Sequence, residues 1–243
     1  MFSLVTVHKS WREILMAAIL HVGKDYLQEL QNCVWLPGER KIFNAFSLPH
    51  DKVRFILFGE SPYPRALSAN GYAFWDNSVK EIFAENGFSK ELNRATSLRN
   101  FVKMLLLANK ILTKEDLSQI AIGKIDKANL VKTLSELFTN LLNTGFLLLN
   151  ASLVYTKKKS VNYDAKMWLP FIDDILKSFP NPDNITLLLF GNVAKKIDSL
   201  KSSASFVKIY AEHPYNLSFI TNEKVLSFFR KIGFDPLNIQ RLL

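Results

Sequence analysis

The sequence predicts a single α/β domain over residues 1–243, with three layers (α/β/α) and a central parallel sheet of four strands. Four short runs of the chain are rich in Phe, Ile, Leu and Val, and the first three are nearly continuous in these residues. Such runs are typical of strands that are covered on both faces. Segments with helical periodicity separate the runs, which indicates a parallel sheet. Polar residues follow the end of each run, where a parallel sheet binds its ligands.

Apolar periodicity gives the order of the elements. We expect strands at residues 53–58, 146–149, 186–190 and 206–210. Helices are expected near residues 98–109, 130–142, 168–179, 194–200 and 223–232. Residues 1–20 predict a further amphipathic helix, because charges flank their apolar patch and the patch is too short to span a bilayer. Residues 108–127 are polar and weakly periodic, so we interpret them as a surface insertion with a short helix.

The composition excludes several classes of protein. With 48% hydrophobic and 22% charged residues, the chain is globular rather than disordered. Its 31 Lys and Arg residues against 22 Asp and Glu residues give a formal charge of +9, which favours a polyanionic partner. The single cysteine, Cys33, excludes an internal disulfide and a cysteine cluster for zinc or an iron–sulfur centre. We therefore expect a cytoplasmic protein that uses no metal and no cofactor.

Chemistry-bearing residues follow each predicted strand. The four segments are residues 59–64 (GESPYP), 150–153 (NASL), 191–192 (GN) and 212–218 (EHPYNLS). Because the carboxyl ends of parallel strands meet at one edge of a sheet, these segments are expected to converge on a small polar pocket. Taken singly, Asn150 and His213 are explained more simply as turn or capping residues. The convergence of four segments favours a ligand site.

In content and order, these segments resemble the uracil-DNA glycosylases, specifically the family of the common bacterial and eukaryotic enzymes. The resemblance runs from Trp35 to the C-terminus and thins over residues 108–127. Residues 59–64 are similar to the family's water-activating loop, usually GQDPYH, and residues 69–74 (ANGYAF) to its continuation. The other matched segments are residues 97–100 (SLRN), 147–150 (LLLN), 189–192 (LFGN), 213–214 (HP) and 217–218 (LS).

The resemblance implies a pocket for a base that has been extruded from DNA. Asn150 would read the uracil edge, because its amide offers a donor and an acceptor together and a cytosine edge does not satisfy both in that orientation. Tyr63 would exclude thymine by contact with the ring carbon that carries its methyl group. Phe74 would stack on the base.

The resemblance also implies contacts with the leaving base and with the DNA strand. His213 would donate a hydrogen bond to the base oxygen on which negative charge develops. Leu217 would enter the gap left by the extruded nucleotide. Nearby lysines at 195 and 196 either add salt-sensitive affinity or are simply solvated, and the run at 157–159 is more simply explained as a solvated turn. Hydroxyls and backbone N–H groups would hold phosphates at Ser97, Gly191, Asn192 and Ser218.

One departure from the family bears on mechanism. The position usually held by the catalytic aspartate is Ser61, which has no negative charge to offer a cationic transition state. The preceding position, usually glutamine, is Glu60, so a carboxylate is present one residue away. Another branch of the superfamily has a Gly-Glu-Ala-Pro-Gly loop, so loss of the aspartate is compatible with activity. Glu60, Ser61 and His213 are therefore the catalytic candidates.

Three functions fit these residues. The first is a monofunctional DNA glycosylase that hydrolyses the N-glycosidic bond of an extruded uracil or related pyrimidine and leaves an abasic site. The second is a glycosylase that Glu60 and Ser61 have re-tuned for a modified cytosine in foreign DNA, since a carboxylate accepts from an amino group. The third is a DNA-binding clamp that has lost catalysis. In each, the partner is single- or double-stranded DNA, no membrane is involved, and a monomer is expected.

Overall fold

A computed structural model of the chain describes residues 2–157, 159–232 and 237–238. Its strands are β1 (Trp35–Leu36), β2 (Phe55–Gly59), β3 (Phe83–Ala84), β4 (Gly87–Phe88), β5 (Phe146–Asn150), β6 (Tyr155–Thr156), β7 (Thr186–Phe190) and β8 (Val207–Ala211). Its α-helices are α1 (Arg12–Ala18), α2 (Lys24–Gln31), α3 (Lys90–Arg94), α4 (Thr96–Ala108), α5 (Gln119–Gly123), α6 (Leu134–Asn143), α7 (Val161–Lys177), α8 (Val193–Asp198) and α9 (Glu223–Lys231).

The central sheet confirms the predicted α/β class. It contains four parallel strands in the order β5, β2, β7, β8. In register, Phe55 of β2 pairs with Phe146 of β5 and Thr186 of β7, and the last residue of β2, Gly59, pairs with Asn150. Each of the predicted strands is present. The first begins two residues later than predicted, at Phe55, because a 3-10 turn at His50–Lys52 precedes it.

The described residues form two compact units. The first contains the residues up to Phe74 and Gly145–Lys208, and the second contains Trp75–Thr144 and the residues from Ile209 onward. The boundary therefore falls within β8. The organisation of residues 1–243 as a single domain, with an insertion at residues 108–127, stays a prediction.

The first unit packs its sheet against α7. Alternate strand residues such as Ile56, Leu147 and Leu187 share a buried cluster with Trp168 and Phe171 of that helix. The intervening residues Leu57, Leu148 and Leu188 are also 0% exposed, so both faces of the sheet are covered. Their burial on both faces explains why the predicted strands are continuously apolar.

Helix α7 starts earlier than the sequence predicted, at Val161 rather than at residue 168. Ser160 caps it, since its hydroxyl accepts from the Tyr163 N–H at 3.2 Å. Pro170 lies inside the helix, and both Pro170 and Lys166, whose carbonyl loses its N–H partner, are exposed residues. The buried Asp164 carboxylate accepts from the Tyr26 hydroxyl at 2.9 Å and the Thr156 hydroxyl at 2.8 Å, which fixes the helix start.

The second unit is built around α4. This helix packs against α9 and against a 3-10 helix at Leu217–Thr221. Helix α6 begins at Leu134, four residues later than predicted, because Thr133 and Glu136 form a capping box there. Residues 108–127 include the short helix α5, in which Ile122 is buried. Among the described residues, no helix combines the length and apolar character needed to cross a membrane.

Candidate functional site

Polar residues gather at the carboxyl ends of β2, β5 and β7 in the first unit. The pairing of β2 with β5 continues past both strands: the Ala151 N–H donates to the Gly59 carbonyl at 2.9 Å, and the Ser152 N–H donates to the Glu60 carbonyl at 3.0 Å. The main chain of Glu60 is therefore fixed beside the segment that follows β5. The predicted site residues at this edge are Glu60, Ser61, Tyr63, Phe74, Asn150, Gly191 and Asn192.

Asn150 is the most informative of these residues. It is the last residue of β5 and is 4% exposed, yet no described group hydrogen-bonds its side-chain amide. An amide that no protein group engages is available to hydrogen-bond a ligand. Gly59 makes room for it, because a Cβ at Gly59 would overlap the Asn150 Oδ1 atom and lie 2.9 Å from the Ala73 Cβ.

Tyr63 and Phe74 are joined by a hydrogen bond. The Tyr63 hydroxyl donates to the Phe74 carbonyl oxygen at 3.1 Å, and both side chains are half-buried. Phe74 has a φ of +62°, an unusual backbone conformation for a bulky residue and one that concentrates at functional sites. The preceding Ala73 N–H donates to the Leu148 carbonyl of β5 at 3.0 Å. This contact ties the Phe74 segment to the strand that ends in Asn150.

Glu60 and Ser61 differ in their surroundings. The Glu60 carboxylate pairs with the Lys196 ammonium at 2.7 Å, and the Lys196 side chain is only 18% exposed. Lys196 lies on α8, which follows the Gly191–Asn192 turn. The Glu60 side chain, which is 44% exposed, is thus paired with a cation on the neighbouring segment. The Ser61 hydroxyl is half-buried and lies 3.5 Å from the Pro62 carbonyl oxygen, at the limit of a hydrogen bond.

The turn after β7 requires its glycine. Gly191 has a φ of +74°, in the left-handed region that favours glycine. The Ala194 N–H donates back to the Gly191 carbonyl at 3.2 Å, which closes the turn. Asn192 is exposed, and its side chain does not cap α8.

In the second unit, His213 lies on a loop that follows β8. Its Nδ1 atom accepts from the Tyr215 N–H at 3.1 Å. In the neutral ring this assigns the proton to Nε2, which makes Nε2 the hydrogen-bond donor. Leu217, later in the same loop, is 71% exposed.

Two side-chain hydrogen bonds hold this loop in place. The fully buried Asn100 of α4 donates from Nδ2 to the Pro214 carbonyl at 2.8 Å. The Glu212 carboxylate accepts from Asn222 Nδ2 at 2.7 Å. Burial opposes the charge on Glu212, but hydrogen bonds from Ser218, its own backbone and Asn222 outweigh burial and hold its pKa below the ordinary value. Glu212 is therefore ionised at neutral pH and braces the loop.

The remaining predicted residues of the second unit are Ser97 and Ser218. Ser218 lies in the exposed part of the loop. Ser97 is half-buried in the first turn of α4, the helix that packs against the loop. The sequence reasoning assigned no role to Asn100, although its position carries a signal: it shares the apolar side of α4 with Met104 and Leu107. A polar residue on an apolar helix face indicates a specific buried hydrogen bond.

Within the part of the chain that the structure describes, no group of three or more His, Cys, Asp and Glu side chains is arranged to hold a metal ion.

Comparisons with known proteins agree with the resemblance. The chain is 25% identical to the uracil-DNA glycosylase of Campylobacter jejuni, over 96% of this chain and 94% of that protein. It is 28% identical to the uracil-DNA glycosylase of Campylobacter hominis, over 88% of this chain and 81% of that protein. No family model matches the chain.

Among solved structures, the wild-type UNG of Nitratifractor salsuginis is 41% identical, with a TM-score of 0.89 over 96% of this chain and 93% of that one. The mimivirus uracil-DNA glycosylase is 13% identical, with a TM-score of 0.53 over 86% of this chain and 70% of that one, and it supports the fold alone. Since the first structure is a relative at 41% identity over nearly the whole of both chains, this chain belongs to the uracil-DNA glycosylase family.

Proposed function

We propose that this protein removes uracil from DNA by hydrolysing the N-glycosidic bond of an extruded nucleotide, and leaves an abasic site for base excision repair. The observation that carries the proposal is the Asn150 amide, which stands at the end of β5 and has no hydrogen-bond partner among the described residues. The relatives compared above are named uracil-DNA glycosylases or UNG, so the modified-cytosine and inactive-clamp alternatives are not favoured.

Three residues of the first unit are proposed to read the base. The Asn150 amide donates to the uracil O4 and accepts from its N3–H. The Phe74 ring stacks on the base. Tyr63, held by its hydrogen bond to the Phe74 carbonyl, stands against the ring carbon that carries the thymine methyl group and excludes thymine by clash.

Gly59→Ala is expected to lower kcat/KM on a uracil-containing oligonucleotide by about 10²-fold, because the new methyl group overlaps Asn150 Oδ1 and displaces the amide. Steady-state kinetics measure the loss. Gly23→Ala is the matched control, since its Cβ would meet only the flexible end of Met167 at 3.4 Å. Equal kinetics for the two variants would contradict the role of Asn150.

We assign the attacking water to the Ser61 hydroxyl together with backbone carbonyls of the same loop. Glu60 is the less suitable group, because its carboxylate already pairs with the Lys196 ammonium, and the nearby positive charge offsets part of the attraction that it could offer a developing cation. We assign Glu60 instead to positioning, since it links the loop after β2 to α8. A hydroxyl orients water but carries no charge, so the chemistry is expected to be slower than with an aspartate at this position.

Substitutions at Ser61 and Glu60 distinguish the roles proposed for these two residues. In single turnover on uracil-containing single-stranded DNA, Ser61→Asp is expected to raise the rate by roughly tenfold or more, because it adds a carboxylate beside the water. Glu60→Gln is expected to change the rate by less than about fivefold, the scale of a partly exposed ion pair. A large loss of rate in Glu60→Gln, with no effect of Ser61→Asp, would show that Glu60 and not Ser61 holds the attacking water.

DNA is the proposed partner. In the first unit, Gly191 and Asn192 are proposed to hold a phosphate. In the second unit, Ser97 and Ser218 are proposed to hold phosphates, and His213 and Leu217 to act at the extruded nucleotide. The net charge of +9 supports a polyanionic partner. A monomeric state and a cytoplasmic location belong to the same proposal.

A panel of oligonucleotides tests the proposed activity. Each carries one uracil, thymine, cytosine or 5-modified cytosine in an otherwise identical strand, and alkaline cleavage reports abasic sites. The proposal expects cleavage at uracil alone. Release of a modified cytosine in preference to uracil, or tight binding without release of any base, would contradict it.

A further inference from the structure

Tyr215 lies in the loop between His213 and Leu217 and is 67% exposed. Among the described residues, none hydrogen-bonds its hydroxyl or stacks on its ring. Leu217, two residues later, is 71% exposed. Two large, mostly exposed side chains thus lie two residues apart on one short loop, where both are accessible to a partner.

The backbone that carries Tyr215 is held firmly. Its N–H donates to His213 Nδ1 at 3.1 Å, and its carbonyl oxygen lies 3.4 Å from Asn100 Nδ2. Pro214 precedes it and is buried, and Phe219 and Ile220, 0% and 4% exposed, anchor the far side of the loop. An exposed ring on a fixed backbone loses little conformational freedom when it binds a flat partner.

We propose that the Tyr215 ring is a stacking platform for a nucleobase next to the extruded nucleotide. The proposal rests on the proposed function. His213 and Leu217, which flank Tyr215 in the sequence, are proposed to act at the extruded nucleotide, so a neighbouring base is the group expected at the Tyr215 ring. A base that loses its stacking neighbour exposes a π face, and an aromatic side chain accepts any base there without sequence preference. The hydroxyl is not needed for this contact.

Loss of the Tyr215 ring is expected to weaken the binding of DNA. Base–aromatic stacking corresponds to about 5- to 150-fold in binding per base. Tyr215→Ala removes the ring but keeps the backbone N–H that holds His213, so the variant isolates the ring. Tyr215→Phe retains the ring and is the matched control.

The test measures binding of single-stranded oligonucleotides that carry an uncleavable abasic analogue at the target position. One oligonucleotide has ordinary flanking bases, and a second lacks the base on each side of the target. On the first, Tyr215→Ala is expected to bind about 5- to 150-fold more weakly than the parental protein, while Tyr215→Phe binds as the parental protein does. On the second, the parental protein and Tyr215→Ala are expected to bind equally, because the stacking partner is gone.

The inference is overturned if Tyr215→Ala binds the first oligonucleotide as tightly as the parental protein. It is also overturned if the variant loses the same factor on both oligonucleotides, or if Tyr215→Phe is as weak as Tyr215→Ala. Because the assay contains no uracil, its outcome is independent of which base the protein excises.

Discussion

Asn150→Asp is expected to lower the rate of uracil excision by about 10⁴-fold, the largest loss of any substitution considered for this protein. A carboxylate supplies two acceptors where the uracil edge needs one donor and one acceptor, so the uracil O4 is left facing negative charge. Cytosine offers an amino group at the same position. The variant should therefore excise cytosine better relative to uracil than the parental protein does, as measured in single turnover on matched oligonucleotides.

Asn184→Asp is the matched control for this change. Asn184 is exposed and precedes β7, so it lies at the opposite end of the strand from the proposed pocket. The control should keep the parental rate and base preference. If Asn150→Asp also kept the parental ranking of uracil over cytosine, Asn150 would not be the residue that reads the base.

His213→Ala is expected to lower the single-turnover rate by about 10²- to 10³-fold, the usual cost of removing one donor to an oxygen on which charge develops. The Tyr215 N–H on Nδ1 makes Nε2 the donor of the neutral ring. Since this hydrogen bond gains most of its strength as the glycosidic bond breaks, the loss should fall on the rate rather than on DNA affinity.

His213→Gln tests the chemical assignment, because it returns a neutral N–H donor at a similar reach and should recover part of the rate. His21→Ala removes an exposed histidine of the first unit and should leave the rate unchanged. A full parental rate in His213→Ala, or a loss confined to DNA affinity, would contradict the proposed role.

Much of the fold could be predicted because its signal is local. The strands are short, apolar and buried on both faces, so residues 146–149 and 186–190 stand out in the sequence and agree with β5 and β7. Helix starts were harder to predict. Helix α7 continues through Pro170 on its exposed side, and a capping box sets the start of α6 beyond the apolar pattern.

The same distinction between local signals and long-range contacts applies to the candidate site. Asn150 and His213 could be proposed from the sequence, because Asn150 ends β5 and His213 lies in the loop after β8, both within recognisable segments. The pairing of Glu60 with Lys196 joins residues 136 positions apart, and no local pattern reports it. The support of the loop by Asn100 is likewise a contact across 114 positions. Such contacts depend on tertiary packing, so the sequence alone could not reveal them or rank Glu60 against Ser61.

The claim that the Asn150 amide reads uracil is tested most directly by a crystal structure of the protein with free uracil bound. We expect Asn150 Nδ2 to donate to O4 and Oδ1 to accept from N3–H, each at about 2.7–3.2 Å, with the Phe74 ring parallel to the base. Uracil bound away from Asn150, or in the pocket with the amide bonded instead to protein groups, would contradict the account.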